Sequence, residues 1–392
     1  MRSESVRPVA PAARSIPLSE PLIGGNEWNY VKQCLDTGWV SSAGEFVDRF
    51  EREFAAQLSI PHAVAVASGT AALHLALMAV GIQPDDEVLV STLSFIAPAN
   101  AIHYTGARPV FVDADPETWQ MDLTSVLAFL ERCRDTPQGL INPTSGRRVA
   151  ALLPVHILGH PADIGPLVEV ARRRGIALVE DATESLGANY RGRPVGTLGD
   201  IGCFSFNGNK LITTGGGGMT VTARDDLAGR MRYLSTQAKD DPIEYRHEQV
   251  GFNYRLTNVQ AAIGCAQLEQ LDAFIAAKRR IAARYRLALS GCAGVRVMPG
   301  AQWAQPVFWL YTILIEGGSR EVMRQLENEG IQSRPLWRCL HTNAPYRNCE
   351  YLGGVVAETL QRDALSLPSS VSLEEADQER VVTTLQRILE SR

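Results

Sequence analysis

The run Ile176-Ala177-Leu178-Val179-Glu180-Asp181 is an apolar strand pattern ending on two acids. A second such run, Ile201-Gly202-Cys203-Phe204-Ser205-Phe206, is followed by Asn207-Gly208-Asn209-Lys210. Short apolar runs bounded by turn residues read as strands buried on both faces. Working outward, Ala63–Ala67, Glu87–Ser91, Arg108–Val112 and Ala150–Pro154 precede these two, and Met219–Thr222 comes after them. Helix-like segments lie between them, the first through Leu73, Leu77 and Val80 to a stop at Gly81. Strand alternating with helix from about residue 60 to 225 predicts an α/β fold, with a mostly parallel sheet of roughly seven strands covered on both sides.

The flanking chain has a different texture. Between Cys133 and Val149, Pro137, Gly139, Pro143 and Gly146 punctuate a polar stretch that reads as a long loop, a candidate flap over a site. Beyond Asn258 a long amphipathic helix through Leu268, Leu271 and Phe274 leads into Lys278-Arg279-Arg280, read as a solvated face. A strand near Trp309–Ile315, a helix near Arg320–Glu329 and a last helix after Ser372 predict a smaller α/β unit. Ser372 and Glu375 have capping-box spacing. The expected division is a flexible tail over 1–15, a large domain over 16–258, and a linking helix with a small domain over 259–392.

With 392 residues, the chain has material for two or three units and a large buried core. Hydrophobic residues at 45% and charged residues at 21% argue against disorder or a fibrous repeat. The net charge of -5, with basic clusters no longer than Arg172-Arg173-Arg174, argues against nucleic acid as the main partner. Seven scattered cysteines without a Cys-x-x-Cys pair read as reduced cytosolic thiols rather than a disulfide framework or a metal site. The uncharged stretch His62–Pro84 is broken by Ser68-Gly69-Thr70, so it reads as strand, turn and helix instead of a membrane span. A cytoplasmic enzyme is expected.

Four features fall at strand ends, where open α/β sheets hold ligands. Ser68-Gly69-Thr70 opens a helix and is either an ordinary cap or an anion cradle. Asp181, with Thr183 and Glu184 beyond it, either caps the next helix or faces a cation. Lys210 in a sheet crevice would be desolvated, lowering its pKa so that the neutral amine attacks a carbonyl. Phe95 either packs in the core or lies flat on an aromatic ring. The run Gly215-Gly216-Gly217-Gly218 matches neither a Walker loop nor a dinucleotide fingerprint and reads as backbone close to a ligand or another chain. Together, an anion cradle, a stacking face, an acid and a strand-end amine are the parts needed to hold pyridoxal 5'-phosphate.

With these parts in place, the chain resembles the sugar aminotransferases of the DegT/DnrJ/EryC1/StrS group. The motifs that carry the resemblance are Glu180-Asp181-Ala182-Thr183-Glu184-Ser185, Phe204–Lys210 and Gly251–Gln260. Within the group it looks most like legionaminic-acid-pathway aminotransferases, through Gly24–Trp28, Thr37–Ser42 and Thr236–Asp241. The resemblance implies the type I aminotransferase fold. It makes Lys210 the covalent cofactor anchor and proton shuttle, and Asp181 the partner of the pyridine nitrogen. Gly69, Thr70 and Ser205 would contact the phosphate, Phe95 would stack on the ring, and Glu184 stands near the cofactor where many relatives carry Gln. Asn253 would reach the phosphate of a neighbouring subunit, giving a homodimer with shared sites. His341 matches a substrate-side segment.

The reaction so implied moves an amine from L-glutamate to a nucleotide-linked keto sugar, a 4-keto-6-deoxy-N-acetylhexosamine on UDP or GDP, for surface-glycan amino sugars. A sugar dehydratase on the same scaffold is the nearest rival, and Lys210 weighs against it because dehydratases of the group commonly replace the lysine. A non-catalytic protein of the same fold is the other.

Overall fold

The computed structural model describes residues 14–241 and 243–392; the expected tail over 1–15 lies, apart from its last two residues, outside the described residues. The strands of the large sheet are β1 (His62–Val66), β2 (Glu87–Ser91), β3 (Arg108–Val112), β4 (Val149–Leu153), β5 (Ala177–Asp181), β6 (Ile201–Ser205) and β7 (Gly218–Thr222). In the smaller unit β8 (Val295–Val297), β9 (Thr312–Ile315), β10 (Arg334–Pro335) and β12 (Ala364–Ser366) form a second sheet, while β11 (Tyr351–Leu352) leaves it to pair with β3. The large sheet therefore runs β1-β7-β6-β5-β4-β2-β3-β11, one strand wider than the sequence pattern predicts. Only β7 is antiparallel to its neighbours.

Strand alternation divides the core. Val64, Val66, Val88, Val90, Val179 and Cys203 face the helix Gly69–Ala79, whose apolar residues surround Leu73 and Leu77. Their sequence neighbours Ala63, Ala65, Leu89, Leu178 and Phe204 face the other side, against Phe50 and Phe54 of the helix Glu45–Gln57. Because both faces are covered, the strands carry nearly continuous apolar runs. A separate core around Trp119, Tyr285, Ile313 and Leu365 belongs mainly to the smaller unit. Ile16 is in it, bridging Ile331, so the chain enters through the smaller unit before building the large sheet.

Four sequence expectations are corrected. The stretch 133–149 is no flap: Arg134–Thr136 and Gly139–Ile141 form a hairpin with Leu140 buried. Asn142 Nδ2 beyond it donates to Glu87 Oε2 and Glu350 Oε2, each at 2.8 Å, which ties the stretch to the start of β2, the sheet end opposite Asp181. Pro and Gly supply a tight hairpin turn as readily as a loop. Lys278-Arg279-Arg280 is not a solvated face, because successive helix residues point about 100° apart. Lys278 is 2% exposed, Arg279 half-buried, and Arg280 alone lies in solvent.

The long helix is two helices, Asn258–Leu268 and Leu271–Leu289, and the capping box belongs to the first. Thr257 and Gln260 form it reciprocally, whereas Ser372 lies too far ahead of the helix Glu375–Glu390 to cap it. Among the described residues no helix is long and apolar enough to cross a membrane.

Candidate active site

A cavity of about 370 Å³ opens at the C-terminal ends of β1, β5 and β6 and is lined by Gly69, Thr70, Phe95, Asp181, Glu184, Ser205 and Lys210. Seven of the nine residues expected from the sequence therefore meet in one place. A larger groove of about 700 Å³, by Val80, Ile176 and Arg224, touches none of them and lies near the other end of the sheet.

The first wall is a helix N-terminus. Ser68 caps the helix Gly69–Ala79: its Oγ accepts the N–H of Ala71 and its carbonyl that of Ala72. The N–H groups of Gly69 and Thr70 are left at the helix end, aimed where an anion is stabilised by them and by the helix dipole. A methyl group on Gly69 would stand 2.8 Å from Ser205 Cβ, so the turn and the end of β6 are in close contact. Gly218 allows the same on β7, where a Cβ would stand 2.5 Å from Ser68 O. The glycine run is thus backbone close to the Ser68 turn of its own chain, and Gly216 and Gly217 line the cavity.

The second wall is the end of β5. Alternation sends Glu180 and Asp181 to opposite faces. Glu180 is fully buried and accepts His156 Nε2 at 3.0 Å and the N–H groups of Gly196, Leu198 and Gly199. Burial alone would raise its pKa, but His156 and these amides hold it below the ordinary carboxylate range. His156 Nδ1 accepts the N–H of Ala162 at 2.9 Å, which assigns the ring proton to Nε2. Asp181, 2% exposed, accepts only the Thr183 N–H at 3.1 Å among the described hydrogen bonds to its side chain. Burial pushes its pKa up, and Thr183, Lys210 and His156 pull it back only in part. This carboxylate is short of a cationic partner, which a protonated ring nitrogen would supply.

Lys210 completes the set. Burial lowers its pKa, with Glu184 and Asp181 opposing. Its Nζ lies 3.9 Å from Glu184 Oε1 and 3.9 Å from the centroid of the Trp309 ring. Glu184 is pushed up to about 7 by burial, against the pull of Lys210 and of the Leu158 N–H. Trp309 stacks on Trp337 at 6.4 Å, and both line the cavity. The sequence pattern placed Trp309 at a strand start and gave no sign that it covers the lysine. Phe95 is 54% exposed and free to present its face, as a stacking residue must. An amide-lined anion turn, a flat aromatic, an under-partnered acid and a desolvated amine fit pyridoxal phosphate.

Two expected residues stand apart. Asn253 is exposed, bridges Thr236 and is not in the cavity lining. His341 shares hydrogen bonds with Thr92 Oγ1 through Nδ1 (2.6 Å) and with Glu358 through Nε2 (3.2 Å), and it stacks on Tyr351. Both its ring nitrogens are engaged outside the cavity, beside the loop that carries Phe95.

Known proteins agree with this chemistry. The chain is 43% identical over 379 residues to GDP-perosamine synthase of Caulobacter vibrioides, covering 95% of this chain and 98% of that one. It is 41% identical over 360 residues to GDP-perosamine synthase of Escherichia coli O157:H7, covering 91% and 94%. Among solved structures it is similar to S. venezuelae DesV in complex with a ketimine intermediate, with a TM-score of 0.84 and 34% identity, over 93% of this chain and 94% of that one. The two relatives are named as GDP-perosamine synthases, so these names support the family and the sugar-aminotransferase class but not specifically the narrower legionaminic-acid-pathway expectation. The cofactor is pyridoxal 5'-phosphate and the protein is a nucleotide-sugar aminotransferase. Residues 21–386 match the DegT/DnrJ/EryC1/StrS aminotransferase family, and the chain belongs to it.

Proposed function

We propose that the chain moves the amine of L-glutamate to a GDP-linked 4-keto-6-deoxy sugar, for an amino sugar of a surface glycan. The observation that carries the chemistry is Lys210 and Asp181 lining one cavity with the Gly69–Thr70 helix end. The GDP carrier rests on the two relatives named as GDP-perosamine synthases. When bound, pyridoxal phosphate supplies a ring that absorbs the electrons freed as the substrate carbon loses its proton. Asp181 holds a positive nitrogen opposite its buried carboxylate. Lys210 Nζ, its pKa lowered by burial, takes and returns the migrating proton. Gly69, Thr70 and Ser205 bind the phosphate, Phe95 orients the ring, and Trp309 shields Lys210 from water.

The working unit in this reading is a homodimer, with Asn253 reaching the partner's site. Asn253 is exposed, and Ile243, Tyr245 and Val250 nearby in sequence are 82%, 67% and 82% exposed, an apolar surface that a second copy would cover. His341 acts through Thr92 on the Phe95 loop.

The test is to give the purified enzyme pyridoxal phosphate, L-glutamate and a panel of GDP- and UDP-linked 4-keto-6-deoxy sugars, with and without an N-acetyl group, and to weigh the products by mass spectrometry. Amination of the GDP-linked hexose is expected. Exclusive use of a UDP-linked N-acetylhexosamine would return the substrate to the legionaminic-type class.

A further inference from the structure

Lys278, in the helix Leu271–Leu289, is a buried cation that the chemistry above does not use. Its Nζ donates to the carbonyl of Trp309 at 2.8 Å and to the carbonyl of Ser369 in a shorter contact. Among the described residues it pairs with no carboxylate, and burial lowers its pKa to about 7. An ammonium buried without a counter-charge is costly, so a methionine of similar shape would pack there at less expense. The two carbonyls explain what the lysine adds.

The Trp309 backbone needs holding. Phe308 before it sits at φ 55°, a left-handed conformation that a bulky residue adopts only when its surroundings impose it. On one side Val307 N–H donates to Gly159 O at 2.9 Å, and a Cβ on Gly159 would come within 2.6 Å of Trp309 N. On the other side Lys278 fixes the Trp309 carbonyl. Beyond the strained residue the indole N–H donates to Asn209 O at 2.7 Å, and the ring comes to rest over Lys210 Nζ. Ser369, the second anchor, also accepts Tyr311 N–H on its Oγ at 3.0 Å, so the lysine ties together two segments of the smaller unit.

We propose that Lys278 is a positioning residue for the reaction: by clamping the Trp309 carbonyl it sets the indole face against Lys210. This rests on Lys210 being the reactive amine.

The experiment titrates the absorbance of the holoenzyme with pH, following cofactor bound to Lys210, in the wild type, Lys278→Met, Trp309→Ala and the double variant. The wild type serves as the control for the reading beneath: if no lysine-bound absorbance forms, or borohydride fixes it elsewhere, that reading fails before Lys278 is tested. With it intact, Lys278→Met should move the titration midpoint down by about half a unit or more, since an aromatic face stabilises positive charge. It should also lower kcat roughly ten-fold with KM for L-glutamate little changed. In the Trp309→Ala background the same substitution should add almost nothing, because the clamp then has no ring to place. An unshifted midpoint in Lys278→Met, or effects that simply add in the double variant, would overturn the proposal. Should Lys278→Met fail to fold, Lys278→Leu, which likewise carries no donating group, is read by the same two measurements and the same criteria.

Discussion

Glu184 joins a buried amine to a strained turn: its Oε1 is 3.9 Å from Lys210 Nζ while its Oε2 accepts the N–H of Leu158 at 2.7 Å. Leu158 sits at φ 60° within the short helical turn Ile157–Gly159, so the amide that holds Glu184 belongs to a residue in a left-handed conformation. Burial raises the Glu184 pKa to about 7 and lowers that of Lys210, so the two groups titrate closer together than a free carboxyl and a free amine.

The raised pKa has a sign. Glu184 titrates near its ordinary value when unfolded and near 7 when folded, so the folded state holds the extra proton between these values. Its contribution to stability is present at low pH and is lost as pH rises through 7. Glu184→Gln removes that dependence. In urea unfolding of cofactor-free protein, the variant should gain about 1–3 kcal/mol on wild type between pH 4.5 and pH 8. A difference independent of pH would show that Glu184 does not titrate in this range.

Asp181→Asn keeps the shape and removes the charge that, in the proposed function, faces the ring nitrogen. The amine-transfer rate from L-glutamate should fall roughly 10²–10³-fold in single-turnover kinetics. Cofactor retained after gel filtration should fall far less, because the phosphate turn and Lys210 remain. Equal losses in both would assign Asp181 to binding alone.

Gly218→Ala places a methyl group 2.5 Å from the carbonyl oxygen of Ser68. Backbone on both sides leaves little room to yield, so the start of β7 must move away from the phosphate turn. A loss of about 1–3 kcal/mol in chemical denaturation is expected, together with weaker cofactor binding. Unchanged affinity for pyridoxal phosphate would mean that the turn tolerates the shift.

His156→Leu removes the imidazole donor to Glu180 while three backbone amides remain on that carboxylate. The buried oxygen left short of a partner should cost about 1–3 kcal/mol by urea unfolding. A neutral result would place the stability of Glu180 on the amides alone.

Much of this site is legible because its residues sit at the ends of apolar runs. Asp181 ends β5 and Lys210 follows β6, and a parallel sheet carries such ends to one edge whatever the details of packing. Ser68, Gly69 and Thr70 are legible for the same reason, with the cap written in the residue types.

The remainder depends on segments far apart in the chain. Nothing local distinguishes Lys278 from Arg279 and Arg280, and only the docking of that helix against Trp309 and Ser369 decides which of the three is buried. Nor does the pattern around Trp309 announce a ring over Lys210, since that contact is made by a strained turn held from two sides. The raised pKa of Glu184 likewise needs burial and a lysine 26 positions away. The sequence by itself determined the order of strands and helices and the placing of candidate residues at strand ends, because periodicity and residue type act over a few neighbours; the resemblance to the family rests on its motifs. Tertiary structure alone decided which cations are buried, which aromatic faces the amine and where the 133–149 stretch lies, because desolvation and contact across the chain do not exist until the layers close.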